Sequence, residues 1–195
     1  MSLQERIINY FTDSMQVQQD MASYLGEAIE FAALRMVTAL LNDNKIMTCG
    51  LGPFAINAQL FAATLLHQFE KMRPALPVLS LTADLPTLGL LANTPYFDDV
   101  FAKQLKAFGQ EGDVLVIFSA GHSVGCLAKL IAAAHSKEIT VIALTGTENP
   151  DLSLLLHEKD LEIRIPSDVL SQIQAQQIIV SYCLCDLIDN QLFEI

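Results

Sequence analysis

The chain has 195 residues, 52% of them hydrophobic and 17% charged, with a formal net charge of −11. That length and apolar share suit one well-buried α/β domain with room for a large subunit interface. The acidic balance argues against direct binding to nucleic acid, since a phosphate backbone is repelled, but leaves a basic protein partner open.

The N-terminal "MSLQERIINYFTDS" alternates charged and apolar residues and has no signal-peptide core, so no targeting segment is expected. No apolar run reaches membrane-spanning length, and a cytoplasmic protein is expected. Two amphipathic helices come first, over residues 3–21 and 24–42. Met15, Leu25, Ile29, Ala32, Ala33, Met36, Val37 and Leu40 recur there at helical spacing. "KIMTCG" (45–50) reads as a short buried strand ending in glycine, and 55–70 as a helix. "LPVLSLT" (76–82) is a strand, followed by the helices "PTLGLLAN" and "FDDVFAKQLKAFG". "DVLVIFS" (113–119) is the plainest buried strand, then comes the helix "VGCLAKLIAAAHSK". Strands "ITVIALTG" (139–146) and "LEIRIP" (161–166) follow, and a long helix from Leu170 to Phe193 closes the chain. Cys49, Cys126, Cys183 and Cys185 all lie in apolar surroundings without a CxxC spacing and are expected to be reduced and buried.

Apolar strands alternating with helices imply a parallel sheet covered on both faces, with right-handed crossovers. Ligands bind such sheets beyond the carboxyl ends of the strands. The loops at 49–55, 119–124 and 145–150 are therefore the ones to inspect.

The order helix–helix–strand–"CGxG"–helix, then "GDVLVIFSAGHS", "VIALTG", "EIRIP" and a closing helix resembles the sugar isomerase (SIS) domain, in its phosphoheptose isomerase group. "NAQLFAA", "RPALP" and "CLCDLIDNQLF" are most similar to the branch that associates with the replication initiator DnaA. The resemblance covers nearly the whole chain. It implies an α/β, three-layer α-β-α sandwich, flavodoxin-like, with a five-stranded parallel sheet. As one domain over residues 1–195 it would comprise an N-terminal helical hairpin (1–44) and an α/β core (45–195). It also implies a homotetramer.

In that family, hydroxyl residues and backbone N–H groups at helix N-termini hold the sugar phosphate, where free donors meet the positive end of the helix dipole. The family's first loop reads Cys-Gly-Asn-Gly-Gly/Thr-Ser; here it is Cys49-Gly50-Leu51-Gly52-Pro53-Phe54. Gly50 and Gly52 keep the tight backbone path, Leu51 loses the polar side chain, Pro53 has no N–H, and Phe54 replaces the serine. Pro53 suits a helix start, with Phe54 packing locally. The family's second loop reads Ser-Thr-Ser-Gly-Asn-Ser, against Ser119-Ala120-Gly121-His122-Ser123-Val124. Three hydroxyls are lost. His122 is new, and is either a neutral residue lining a cleft or a loop histidine facing water. Weak phosphosugar binding is left to Gly50, Gly52, Ser119, Ser123 and Gln174.

Aldose–ketose isomerisation needs a positioned acid and base, or a metal that polarises the carbonyl. The resemblance implies a His and a Glu four apart on the helix after the first loop, and a Gln and a His eight apart on the last helix. Such a set also supplies ligands of the kind zinc accepts. These positions hold Leu60, Thr64, Gln174 and Tyr182. Leucine has neither proton nor lone pair to offer, threonine is a poor base and a poor zinc ligand, and tyrosine is a weak base at neutral pH. No catalytic residue or metal ligand is assigned, and no cofactor is expected; zinc would enter only with an isomerase. His67 and Glu70, an i,i+3 pair, are either a displaced base and orienter or a solvated pair at a helix end. His135 and His157 are expected to be exposed. Asp84 reads as an N-cap, and Asp98-Asp99 as an N-cap with a first-turn acid.

The sequence therefore reads as a non-catalytic SIS domain. It fits an oligomeric scaffold that binds the initiator, with the C-terminal Leu192-Phe193 pair as a partner anchor. The same pair can equally close the last helical turn against the core. The alternative is a sedoheptulose 7-phosphate isomerase of lipopolysaccharide heptose synthesis. A phosphosugar-sensing regulator would need a DNA-reading module and a basic face, for which the chain has no room.

Overall fold

The computed structural model of the chain describes residues 1–120, 124–147 and 150–194, with the backbone only for Val124 and Pro150. Ser2 opens helix α1 (Leu3–Tyr24) with a reciprocal cap: its hydroxyl accepts from the Glu5 N–H, and the Glu5 carboxylate accepts from the Ser2 N–H. Helix α2 (Gly26–Leu41) turns back at once. Five strands follow: β1 (Ile46–Gly50), β2 (Val78–Ser80), β3 (Val114–Phe118), β4 (Thr140–Thr145) and β5 (Leu161–Arg164). All pair in parallel, in the order β2-β1-β3-β4-β5. Between and after them come α3 (Phe54–Leu66), α4 (Leu85–Ala92), α5 (Val100–Phe108), α6 (Val124–His135), α7 (Pro150–Ser153) and α8 (Leu170–Phe193).

The strands are apolar on both faces, and that produces the three layers. Ile46, Val114, Val116, Phe118, Ile142 and Leu144 point to one side, where they meet α2, α3 and α8 through Met36, Phe61 and Leu184. Met47, Cys49, Leu115, Ile117, Val141 and Ala143 point to the other, against Phe101 and Leu105 of α5 and Leu127 and Leu130 of α6. A strand alternates its side chains with period two, so both halves of the alternation must be apolar when helices cover both faces.

Several expectations need correction. The expected helix at 55–70 ends at Leu66, because His67 leaves helical backbone (φ −89°, ψ −84°). The expected helix at 97–109 begins as a 3₁₀ turn (Phe97–Asp99) and becomes α-helical only at Val100. The short α7 was not anticipated. Met15 is exposed although its spacing places it with core residues, because α1 buries Met21 and no other side chain fully. Cys183 is exposed, while the other three thiols are buried.

A buried ion pair fastens the last helix. The Arg73 Nε donates to Asp189 Oδ1 at 2.6 Å, with the two side chains 1% and 6% exposed. The guanidinium also donates to the Leu65, Pro74 and Thr64 carbonyls. It thus closes the C-terminal end of α3, where carbonyls lack helical partners.

Candidate functional site

In the strand order β2-β1-β3-β4-β5 the chain reverses its direction of winding between β1 and β3. The carboxyl ends of those two strands diverge there into loops, and this switch point is where such sheets hold ligands. A crevice of about 340 Å³ lies at that place, lined by Leu51, Gly52, Pro53, Phe54, Ser119, Ala120 and Leu170. Six of these were in view in the sequence as parts of the two phosphate loops. Leu170 was not, because it arrives from the start of α8 some fifty residues after the second loop.

The first loop keeps its turn. Gly52 sits at φ +55°, and a Cβ on Gly50 would collide with the Phe54 carbonyl, so both glycines are required by the backbone. The helix start beyond the turn has lost its donors. The N–H groups of Phe54, Ala55 and Ile56 donate to the carbonyls of Leu51, Gly52 and Pro53 at 3.1, 3.2 and 3.2 Å. Pro53 has none to give. The orphan donors that make a helix N-terminus an anion site are thus consumed within the first turn of α3. Phe54 is buried in the core beneath them. The Gln174 amide donates to the Pro53 carbonyl at 3.0 Å, which ties α8 to the same turn.

In the second loop, Ser119 and Ala120 are buried, while Gly121, His122 and Ser123 lie outside the described residues, as does the Val124 side chain. The Ser119 carbonyl accepts from Gln177 Nε2 at 2.9 Å, and the Leu144 carbonyl accepts from the same nitrogen at 3.0 Å. Gln177 therefore joins the carboxyl ends of β3 and β4 to α8, with its own oxygen taking an N–H from Asn57 at 3.2 Å. Sequence reading does not find these two buried amides; the signal for Asn57 is a polar residue on the otherwise apolar buried face of α3, whereas Gln177 stands among several buried polar residues of α8. At the first turn of α6 the Asp98 carboxylate stands within 3.4 Å of the Cys126 sulfur, and would lie 3.1 Å from a Cβ on Gly125. Burial first, and then the hydrogen bond to Asp98, push the Cys126 thiol up to about 11, so it stays protonated at neutral pH. Asp99 makes no side-chain cap and pairs instead with Lys129 at 2.9 Å, which corrects the capping role expected of the two acids. Asp84 does cap α4, accepting from the Thr87 N–H at 3.1 Å.

At the base of the third loop the Thr145 hydroxyl donates to Glu162 at 2.7 Å, and Gly146 packs directly on Ile173. Its tip, Glu148 and Asn149, lies outside the described residues.

The four positions that the sequence resemblance sets against catalytic residues lie along α3 and α8, which run side by side through the Asn57–Gln174 and Asn57–Gln177 hydrogen bonds. Leu60 and Thr64 are half-buried, and the Thr64 hydroxyl donates to the Leu60 carbonyl at 2.9 Å. The Gln174 amide is held by Pro53. Tyr182 is 39% exposed and stacks on Phe69, with ring centroids 5.6 Å apart. This set does not fit zinc, because Leu60 has no donor atom and the Thr64 and Gln174 groups are directed at backbone carbonyls. Among the described residues no group of three or more His, Cys, Asp or Glu side chains is placed to hold a metal ion. His67 and Glu70 are both exposed, at the end of α3 and in the loop beyond it.

A larger cleft, about 640 Å³, opens at the amino ends of β3 and β4 and is lined by Arg35, Glu138, His135, His157, Lys159 and Asp160, among others. Its position is the wrong end of a parallel sheet for a ligand, and its charges largely cancel. His135 was expected to be exposed but is half-buried. It stacks on His157 at 3.7 Å and bonds Asp160 at 2.7 Å. Asp160 also accepts from the backbone of Val141 and His157, so the cluster fastens α6 and β4 to the turn before β5.

Leu192 and Phe193 are half-buried against the core at the end of α8, where Glu194 takes a left-handed conformation. Among the described residues, no helix is long and apolar enough to cross a membrane.

A family model described as the SIS domain matches residues 9–146. Over 191 residues the chain is 45% identical to the DnaA initiator-associating protein DiaA of Shigella flexneri serotype 5b (strain 8401), covering 98% of this chain and 97% of that protein. It is 40% identical over 193 residues to the phosphoheptose isomerase of Methylococcus capsulatus (strain ATCC 33009 / NCIMB 11132 / Bath), covering 99% of each. Among solved structures, a phosphoheptose isomerase from Francisella tularensis superposes with a TM-score of 0.92 at 37% identity, over 97% of this chain and 100% of that one.

Proposed function

The chain belongs to the SIS-domain family, and from that premise we propose that it is a non-catalytic member, an oligomeric scaffold that binds the replication initiator DnaA. The observation that carries the reading is the combination, on one framework, of relatives named for DnaA association and a first helix turn with its phosphate donors spent. With those donors spent, the first loop offers a substrate phosphate little, and with Leu60 and Thr64 where an acid–base pair would stand, those positions of α3 offer no group for proton transfer. Phosphosugar binding is at most weak.

Self-association is part of the proposal. Leu3, Ile7, Phe11 and Met15 form an i, i+4, i+8, i+12 stripe on α1 and are 81%, 58%, 65% and 55% exposed. A 22-residue helix with Met21 as its one buried residue gains little packing from its own chain. The stripe is the surface a second copy would cover.

The second reading, a sedoheptulose 7-phosphate isomerase, is favoured by the names of the 40% identical relative and of the superposing structure. The two readings separate in one experiment. The purified protein is titrated against DnaA from the same cell and assayed for sedoheptulose 7-phosphate turnover with zinc present, beside an active isomerase. Saturable DnaA binding without turnover is the expected result; turnover without binding overturns the proposal.

A further inference from the structure

We propose that the crevice at the β1/β3 switch point is a site for an uncharged small ligand with a compact apolar body, in place of a sugar phosphate. The crevice has the attributes of a small-molecule site. It lies at the topological switch point, and its volume of about 340 Å³ is in the range such sites occupy. Its floor is preformed: Phe54, Ser119 and Ala120 are 6%, 5% and 5% exposed. Leu51, Gly52, Pro53 and Leu170 complete the lining.

The chemistry of that lining selects against charge. Among the described residues that line the crevice none is cationic, and the three N–H groups at the start of α3 are spent on carbonyls of their own turn. The Asp98 carboxylate stands at the first turn of α6, the helix that follows β3. An anion entering here would give up water to a lining whose described residues supply no cation and whose α3 N–H groups are already spent. An apolar body instead displaces water from Leu51, Pro53, Phe54, Ala120 and Leu170, which is favourable without any directed bond. The inference concerns this crevice alone, and DnaA binding can hold or fail independently of it.

The chain contains no tryptophan, so the emission of indole can be followed without a protein tryptophan background. Indole, a neutral aromatic, is the probe. Titration with the intact protein should give saturable binding that inorganic phosphate does not displace. The double variant L51N/L170D changes a half-buried and an exposed position, and should weaken indole binding by about tenfold or more as apolar contact is lost. Leu90→Ser removes an apolar side chain that is 77% exposed on α4, outside the crevice, and should leave binding unchanged. In the unaltered protein the Leu51 and Leu170 methyl resonances should shift along the same binding curve. The proposal is overturned by non-saturating indole binding, by equal affinity in L51N/L170D, by unmoved Leu51 and Leu170 methyls, or by competition from phosphate.

Discussion

Gly50 and Pro53 act in opposite senses within one turn. Gly50 preserves the tight path of the turn, since any side chain there meets the Phe54 carbonyl, while Pro53 and the bonds behind it leave the first turn of α3 with its N–H groups spent. Gly50→Ala is expected to lower stability by about 2–3 kcal/mol, because the obstacle is backbone and cannot swing aside. Chemical denaturation measures it, and an unchanged midpoint would mean that the turn relaxes freely. Cysteine chemistry is also decided residue by residue. Cys49 and Cys185 are buried with their thiols pushed up, Cys185 to about 12, and Cys126 is held protonated beside Asp98. The thiolate is the reactive form, so raised values mean slow alkylation that quickens as pH rises. Of the four, Cys183 is the exposed one, and peptide mass spectrometry after iodoacetamide treatment at neutral pH should find it modified first.

At the scale of elements, α8 is the part that holds the others in place. Gln174 fastens the turn before α3, Gln177 ties the ends of β3 and β4, and Asp189 neutralises Arg73 behind α3. Removing one partner of a buried pair strands the other charge, so Asp189→Ala should cost about 3–5 kcal/mol and lower the thermal midpoint visibly. A loss below about 1 kcal/mol would show that water reaches the Arg73 guanidinium. Helix α1 is the opposite case, with its apolar stripe turned outward. Each of Ile7 and Phe11 contributes about 1.5–3 kcal/mol when buried. Ile7→Asp with Phe11→Asp should therefore shift the proposed oligomer toward monomer, as read by light scattering on a sizing column. An assembly of unchanged mass would place the self-association surface elsewhere.

For the whole molecule, the SIS framework is kept, and the proposed function rests on residues such as Leu60 and Thr64 that carry no acid–base pair. Partner binding is the activity that such a framework can keep, because an interface needs a stable surface and no acid–base pair. The Leu192–Phe193 pair at the end of α8 is the proposed anchor for DnaA. Both side chains rest partly on the core, so their loss also costs some packing. Leu192→Ala with Phe193→Ala should abolish DnaA binding while the oligomer and most of the thermal stability remain. Full binding by that variant would leave the pair with only its packing role.

The sequence by itself determined the architecture. Continuous apolar strands alternating with amphipathic helices can satisfy their hydrogen bonds and bury both faces only as a covered parallel sheet. It also determined what these positions cannot offer, since a missing N–H at Pro53 or a missing lone pair at Leu60 is a property of the residue and needs no coordinates. Tertiary structure decided everything that depends on which surfaces meet. It brought Leu170 to the crevice and set Asp98 against α6. It paired Arg73 with Asp189 across 116 positions, and it turned Met15 and the α1 stripe outward. Such contacts join residues far apart along the chain, and no local periodicity encodes them. Helical spacing marks an apolar face on α1 as clearly as on α2, but whether that face meets its own core or another copy depends on where the neighbouring helices leave room.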